Sequence, residues 1–555
     1  MRKLSWLAFS LALMLGFTLQ AADSPLSQIS RDADVVIRIR NFDTTVEKLA
    51  KLVNAVQPGF GDMVSQNAPM FGLALSNSGL AGVDRSKDFY LVLFMRDPGE
   101  PKALFMVPAT DAAAMQKALP KNFESQVREN WVFYASQQHG VPAAVSASDS
   151  LATLLSSSKG HEVMENSDIG LHINVNHIAN VYDSKIKAGR QKFEEQMKQG
   201  LNTPGVTNAA GTVQVLQAEM NLAFQILEET ETLTIGINAT PTGLEVEDYI
   251  DFQPEGDIAG FLKRQPTSKF TALSKLGGQS PVYAGFGGDF HEMAELGLQL
   301  AGPLYQDEAM RKGMQDYAAS MKSLKLQSAV MAFDLANGGN GLFRSTVFME
   351  TKSAAELQAA ARKFAEVTKS IKVGGITQEN ELRTDAETIG TRKVDVLTVK
   401  QKIDPAQPGA AMQSMVSGVM FGPQGMQSRF TALADGLLQQ TGGGQPEMEA
   451  ALKAYDSPGN ALDAARAGLA SEAHLLVLLD LPGLVNNGLL AATTIPALPV
   501  PFQRAAVENL KITRSYTATT AVGEGHAVRV RTKVPVEQFQ GIVKLVGFVQ
   551  SLRGR

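Results

Sequence analysis

The sequence predicts an α+β protein of two tandem lobes, each built from two strand–helix–β-hairpin–helix units with antiparallel sheets. Three recurring patterns predict it. Four apolar strands each run into a polar residue, an apolar neighbour and then a helical period. A hairpin follows each opening. A second helical segment closes each unit.

The openings are Val35-Val36-Ile37-Arg38-Ile39-Arg40-Asn41-Phe42, Leu171-His172-Ile173-Asn174-Val175-Asn176-His177-Ile178, Val282-Tyr283-Ala284-Gly285-Phe286-Gly287-Gly288-Asp289-Phe290 and Leu475-Leu476-Val477-Leu478-Leu479-Asp480-Leu481. A polar side chain at the junction can cap the free N–H groups of the helix, and Asn41, His177, Asp289 and Asp480 occupy that position. The apolar neighbour packs back on the first turn. The hairpins read as 89–95 with 103–107, 233–239 with 244–252, 326–335 with 342–349, and 512–520 with 527–534. Glycine-bearing turns separate their strands, and the strands alternate: Leu233, Ile235 and Ile237 face one way, Thr232, Thr234 and Gly236 the other. The closing helices read as 111–119, 256–262, 354–368 and 536–550. In the last, Phe539, Ile542, Val543, Val546 and Val549 fall on one face at helical spacing.

A coarser duplication overlies the four units. Another hairpin and helix are read at 131–135, 142–147 and 150–155, and their counterparts at 394–400, 429–433 and 434–438. The repeat length of about 125 residues is too long for a solenoid. The lobes are assigned to 22–275 and 276–555, with the boundary in 264–280, around Pro266 and Gly277-Gly278. The alternation Arg38/Arg40 and Arg529/Arg531 fits sheets with one charged and one apolar face.

This layout, with its Asp34-Val35-Val36 strand opening followed by an amphipathic helix, resembles exported bacterial proteins of uncharacterised function. The resemblance covers most of the chain as element order. It implies export and α+β architecture, and it implies no activity.

The N-terminus carries Arg2 and Lys3, an apolar run over 4–19, and Leu19 and Ala21 at the −3 and −1 positions of a signal-peptidase site. A cleaved signal peptide over 1–21 is expected, too short and wrongly flanked for a stable span; the alternative is an uncleaved anchor. The chain has no cysteine, which removes thiol catalysis, disulfides, thiolate metal sites and lipidation at the cleavage site. An exported chain without cysteine points to a bacterial periplasm. A hydrophobic fraction of 44% with 19% charged residues reads as globular. Loss of Arg2 and Lys3 leaves 49 basic residues against 56 acidic, a net charge of −7, which speaks against binding nucleic acid or anionic lipid by charge. No further run of roughly 18 apolar residues exists, so no transmembrane span is expected after signal cleavage.

Motifs for chemistry are incomplete. His291-Glu292-Met293-Ala294-Glu295 and His161-Glu162-Val163-Met164-Glu165 resemble half of a zinc-protease helix, but glutamate stands where the second histidine is needed. His172 and His177 are five apart, on opposite faces of a strand. Gly285-Phe286-Gly287-Gly288-Asp289 lacks the Gly-Lys-Ser/Thr of a phosphate loop. Gly442-Gly443-Gly444 reads as a flexible linker. Ser156-Ser157-Ser158-Lys159 and Ser184-Lys185-Ile186-Lys187 match Ser-x-x-Lys without its companion motifs. Glu245, Glu247 and Asp251 read as a solvated strand face. No catalytic, metal or cofactor residue is assigned.

Two apolar segments stand out. Residues 411–427 carry Met412, Met415, Met420 and Phe421. Residues 484–502 carry Leu489, Leu490, Ile495, Leu498, Val500 and Phe502 among prolines that break a helix. Methionine-rich and exposed apolar surfaces adapt to apolar partners. These ten residues are the candidate binding surface, a groove for a peptide, lipid or protein partner; the other reading is that the two segments cover an open sheet edge or fill the gap between the lobes. The sequence therefore reads as an exported periplasmic protein of non-catalytic, binding or scaffold type, whose second lobe contacts a protein or an apolar ligand. The alternative is an envelope hydrolase with an unrecognised site, which requires a cleft with convergent polar groups and a strongly perturbed titratable residue.

Overall fold

The computed structural model describes residues 24–553, apart from 69–71, 73, 74, 78, 98, 157, 202–208, 279, 302–307, 337–339, 374, 375, 406–408 and 496–499. The expected signal peptide lies outside the described residues.

β1 (Val35–Ile39) leads to α1 (Phe42–Val56), α2 (Gly61–Asn67), the hairpin β2 (Phe89–Phe94) and β3 (Lys102–Pro108), and α3 (Ala112–Ala118). The hairpin β4 (Phe123–Arg128) and β5 (Trp131–Ser136) is followed by α4 (Leu151–Ser156) and α5 (Lys159–Asn166). β6 (Ile169–Asn174) precedes α6 (Val175–Val181), α7 (Asp183–Leu201), α8 (Ala209–Glu229), the hairpin β7 (Thr230–Thr240) and β8 (Gly243–Phe252), and α9 (Asp257–Arg264). β9 (Val282–Phe286) precedes α10 (Phe290–Ala301), α11 (Glu308–Leu324), the hairpin β10 (Ser328–Leu335) and β11 (Asn340–Glu350), and α12 (Ala354–Val367). β12 (Ser370–Val373), β13 (Ile376–Ile389), β14 (Arg392–Ile403) and α13 (Ala410–Phe421) come next. The hairpin β15 (Met426–Leu433) and β16 (Gly436–Gly443) leads to α14 (Gln445–Asp456) and α15 (Asp463–Arg466). The chain ends with β17 (Leu475–Leu479), α16 (Leu481–Ala492), α17 (Arg504–Glu508), β18 (Thr517–Glu524), β19 (Ala527–Pro535) and α18 (Val536–Arg553).

The fold is mixed α+β and its strand pairings are antiparallel. The chain divides into two compact units. The first runs to Ile186 and resumes over Leu227–Ala259 and His526–Arg529; the second holds the remainder. In unit 1 the strand order is β4-β5-β3-β2-β1-β6-β7-β8. In unit 2 it is β15-β16-β11-β10-β9-β17-β18. There, β14, β13 and β12 extend the sheet beyond β15.

The centre of unit 1 is the pair β1–β6, with Ile37 opposite Leu171. Val36, Tyr90, Val92, Leu104, Met106 and Phe133 fill one core with Leu26 and Ile29 from the N-terminal turn and Leu151 and Leu155 from α4. α5 lies close against the same face because glycine stands there twice, with Gly170 opposite Gly236. A Cβ at Gly236 would lie 2.1 Å from Ser167 Oγ, and one at Gly170 2.5 Å from Met164 Cγ. In unit 2 the core joins Tyr283, Val330, Ala332, Phe348, Leu476 and Leu478 of the sheet to Phe270 and Leu273 of a 3₁₀ turn and to Met448 and Leu452 of α14.

Four readings of the sequence are corrected. Residues 142–147 form no strand; β5 pairs with β4, whose polar alternation concealed it. Residues 434–438 start no helix: the apolar run Leu437-Leu438 belongs to β16 and is buried from both neighbours. Gly442-Gly443-Gly444 is no loose linker. These glycines end β16 and enter α14 at φ of 83°, 74° and 140°, and a Cβ at Gly442 would lie 1.8 Å from the Phe343 carbonyl oxygen. Arg38 lies on a buried face, at 5% exposure. Its guanidinium donates to Asp88 at 2.6 and 2.9 Å and to the Met164 and Glu165 carbonyls ending α5 at 2.9 and 2.8 Å. A buried charge persists where all its donors are taken.

Candidate functional site

The polar residues at the strand openings are occupied by holding the fold together. Asn41, Asn174, Asp289 and Asp480 accept backbone N–H groups at the starts of α1, α6, α10 and α16. The cap of α6 is thus Asn174 and not His177. His177 instead turns its Nδ1 to the buried carboxylate of Asp34, which also accepts from Met95 N at 2.5 Å. Asp168 repeats the arrangement at the head of β6: it accepts from Lys48 Nζ of α1 at 2.6 Å and from Ala239 N at 3.0 Å. The backbone matches too, with Asn174 N donating to the Asp34 carbonyl at 2.7 Å and Arg40 N to that of Asp168 at 2.8 Å. Each carboxylate ties the start of one central strand to the helix that follows the other.

Several of the remaining polar candidates also have partners within the fold. His172 is buried against Thr234 Oγ1 at 2.9 Å, and burial, with the nearby His161, lowers its pKa to about 4. His161 is lowered chiefly by burial. His291 reaches Glu295 one turn on at 3.4 Å. Ser158 caps α5 by accepting from Gly160 N at 3.0 Å. Burial raises Asp480, opposed by its bonds to Gly483 N and Gln538, and raises Asp334, which accepts from Asn487 Nδ2 of α16 at 2.8 Å. Among the described residues, no three His, Asp or Glu side chains are arranged to hold a metal ion. A cavity of about 220 Å³ lies between α11 and α12, lined by Asp316, Tyr317, Lys363 and Phe364. Another of about 180 Å³ in unit 1 is lined by Phe94, Arg96, Lys102 and His139.

The apolar candidates gather on one sheet face of unit 2. Along β10, Val330 and Ala332 point into the core, so Met331, Phe333 and Leu335 point the other way and are half-buried. Cross-strand register puts Val282 and Phe286 of β9, Leu475, Val477 and Leu479 of β17, and Phe343 and Val347 of β11 on that same face. Phe286 is 41% exposed there. α13 borders this face through Phe421, whose ring lies 5.6 Å from Phe343, itself 5.4 Å from Phe333. α16 borders it at Gly488, where a Cβ would stand 3.6 Å from Leu335 Cδ1. The two segments singled out in the sequence therefore touch one face of β10–β11.

Within α13, Met412 is 68% exposed and Met415 45%, while Met420 is half-buried. Leu489, Leu490, Ile495, Val500 and Phe502 are half-buried, and Phe502 meets Phe548 of α18 edge-on at 5.5 Å. Leu498 lies outside the described residues. The surface that sequence reasoning left out of the site is α18. Its buried side is Gln538, Gly541 and Leu545, whereas Ile542, Val543, Val546 and Val549 are 38%, 41%, 49% and 44% exposed. The stripe had been visible in its spacing; its two-sidedness was the signal, because Leu545 and Phe548 supply a second apolar side. Among the described residues, no helix is long and apolar enough to cross a membrane. No protein-family model, curated protein or solved structure matches the chain.

Proposed function

We propose that this chain is an exported protein of the bacterial periplasm that acts by binding, without catalysis, and contacts a protein or apolar ligand through its second unit. The observation that carries this reading is the exposed apolar side of α18, bordered by α16 with Leu481 and Val485 at 42% and 41% exposure. Exposed apolar residues clustered on neighbouring elements mark contact surfaces. We also propose that the two units are tandem lobes of one duplicated plan. The shared strand order and the matched Asp34 and Asp168 arrangements support it.

Photo-crosslinking side chains at Met412 and Val546, with exposed Lys121 as control, test the binding reading in cells. Adducts at Val546 or Met412 but not at Lys121 are expected. Equal labelling at all three, together with a bare monomer in native mass spectrometry of the envelope-purified protein, would overturn it. The same spectrum checks cleavage after Ala21.

A further inference from the structure

Of the two cavities described above, only that between α11 and α12 is lined by both signs of charge. Gly313, Asp316, Tyr317 and Ser320 recur at three- and four-residue spacing and share one face of α11. Ala359, Ala360, Lys363 and Phe364 line the cavity from α12. Gly313 lets the helices come close, since a Cβ there would lie 2.3 Å from Val367 Cγ1. One turn on, the rings of Tyr317 and Phe364 meet at 4.6 Å between centroids and 46° between planes. The remaining lining is short side chains, and about 220 Å³ stays open. An apolar space of about 150 Å³ holds benzene, so this one takes a ring and a few further atoms.

Polar groups stand around that apolar floor. Asp316 and Lys363 are exposed at its mouth, and among the described residues neither makes an ion pair. The Tyr317 carbonyl accepts from Ser320 Oγ at 2.6 Å, but among the described residues nothing pairs with the Tyr317 hydroxyl. Burial pushes that phenol above its ordinary value. A buried tyrosine hydroxyl usually finds a partner. The other charges of the two helices balance. Glu308, Glu356 and Glu366 stand against Arg311, Lys312 and Lys322, all exposed. Arg362 is taken by Asp395 at 2.7 and 2.8 Å and by Asp385 at 3.2 Å. The helices therefore favour neither an anion nor a cation. One carboxylate, one ammonium and one free hydroxyl around an apolar floor match a molecule that carries an ammonium, a carboxylate and a ring.

We infer that the cavity between α11 and α12 binds a free aromatic amino acid, its ring against Tyr317 and Phe364, its ammonium on the Asp316 carboxylate and its carboxylate on Lys363 Nζ and the Tyr317 hydroxyl. This goes beyond the proposed contact surface, which lies on other helices.

Calorimetric titration of the chain from Ala22 onward with L-phenylalanine tests it. One site per chain is expected. 3-Phenylpropionate lacks the ammonium and phenethylamine lacks the carboxylate. Each should bind at least about tenfold more weakly, because a charged group of the site then loses its hydrogen bond. Asp316→Asn and Lys363→Met, both at exposed positions, should each weaken L-phenylalanine at least about tenfold for the same reason. Lys363→Met should leave phenethylamine unchanged, and Asp316→Asn should leave 3-phenylpropionate unchanged. Ala360→Leu should fill the cavity and abolish binding while circular dichroism stays the same.

Absence of L-phenylalanine binding overturns the inference. Binding that survives both charge variants also overturns it, because the ligand then sits elsewhere. Equal affinity for toluene does so too, since the cavity would then be an apolar space without polar recognition. These outcomes leave crosslinks at Met412 and Val546 untouched. A chain that binds L-phenylalanine but forms no such crosslinks loses the contact surface alone and keeps this site.

Discussion

Units 1 and 2 order their central strands alike and fasten them differently. In unit 1 the residues heading the two central strands are Asp34 and Asp168, buried carboxylates that grip a cation or histidine from the opposite helix. In unit 2 the same places are held by Pro281 and His474. Their carbonyls still accept from Asp480 N at 2.7 Å and Gly287 N at 2.8 Å, and His474 Nδ1 still accepts from Gly523 N at 2.9 Å. The backbone contacts are common to both units and the ionic grip belongs to unit 1 alone. Unit 2 in turn ends in α18, an 18-residue helix with an exposed apolar side, whereas α9, the helix that follows the β7–β8 hairpin of unit 1, has eight residues. Unit 1 is tied down at its strand heads; unit 2 presents apolar surface.

Trp131, in the unit 1 core, is the only tryptophan beyond residue 21, so its fluorescence reports that unit separately. The largest expected effect is Arg38→Met, which strands Asp88 and the last carbonyls of α5. It should destabilise unit 1 by roughly 3–5 kcal/mol in urea unfolding followed at Trp131. A loss below 1 kcal/mol would show that the buried guanidinium is dispensable.

Next comes pH. With its pKa lowered to about 4 in the folded state, His172 takes up its proton in the unfolded chain first. Stability is therefore full above the unfolded value near 6.5, falls as pH drops toward 4, and loses roughly 3 kcal/mol in all. The unit 1 urea midpoint should fall between pH 7 and pH 4.5, and His172→Gln should flatten that dependence. An equal slope in both proteins would assign the acid sensitivity elsewhere.

Smaller again, Asp34→Asn and Asp168→Asn should each cost unit 1 about 1–3 kcal/mol, and by similar amounts, because their partners correspond. Very unequal losses would break the equivalence of the two arrangements. Smallest is Val546→Ser, which should move the unfolding midpoint of unit 2, followed by circular dichroism, by no more than about 0.5 kcal/mol. A large loss there would mean that the exposed side of α18 supports the fold itself.

The sequence made local periodicity legible. The four openings, the hairpins β2–β3, β7–β8 and β10–β11, and the closing helices follow from alternation and turn residues that act over a few positions. Errors arose where the deciding contact is distant. Arg38 reads as solvated until Asp88, 50 residues on, and the end of α5, 126 residues on, are seen to surround it. His177 reads as a cap until Asp34, 143 residues away, supplies its partner. Leu437-Leu438 is too short a run for its period to separate strand from helix. The site shows the same division. Met412 and Phe421 were recognisable by composition, while the open side of α18 was not. An apolar stripe looks identical whether a sheet covers it or solvent does.

The Asp34 and Asp168 arrangements also constrain the order of assembly. β1 pairs on one side with β2, some 55 residues on, but on the other with β6, about 135 residues on. A chain that has emerged only as far as α5 holds β1 with an open edge and Asp34 without His177. Closing the unit then requires loops well over a hundred residues long, a topology that folds slowly because chain entropy is spent before the pairing contacts form. A polypeptide emerging from its N-terminus would remain loose until β6 and α6 had emerged.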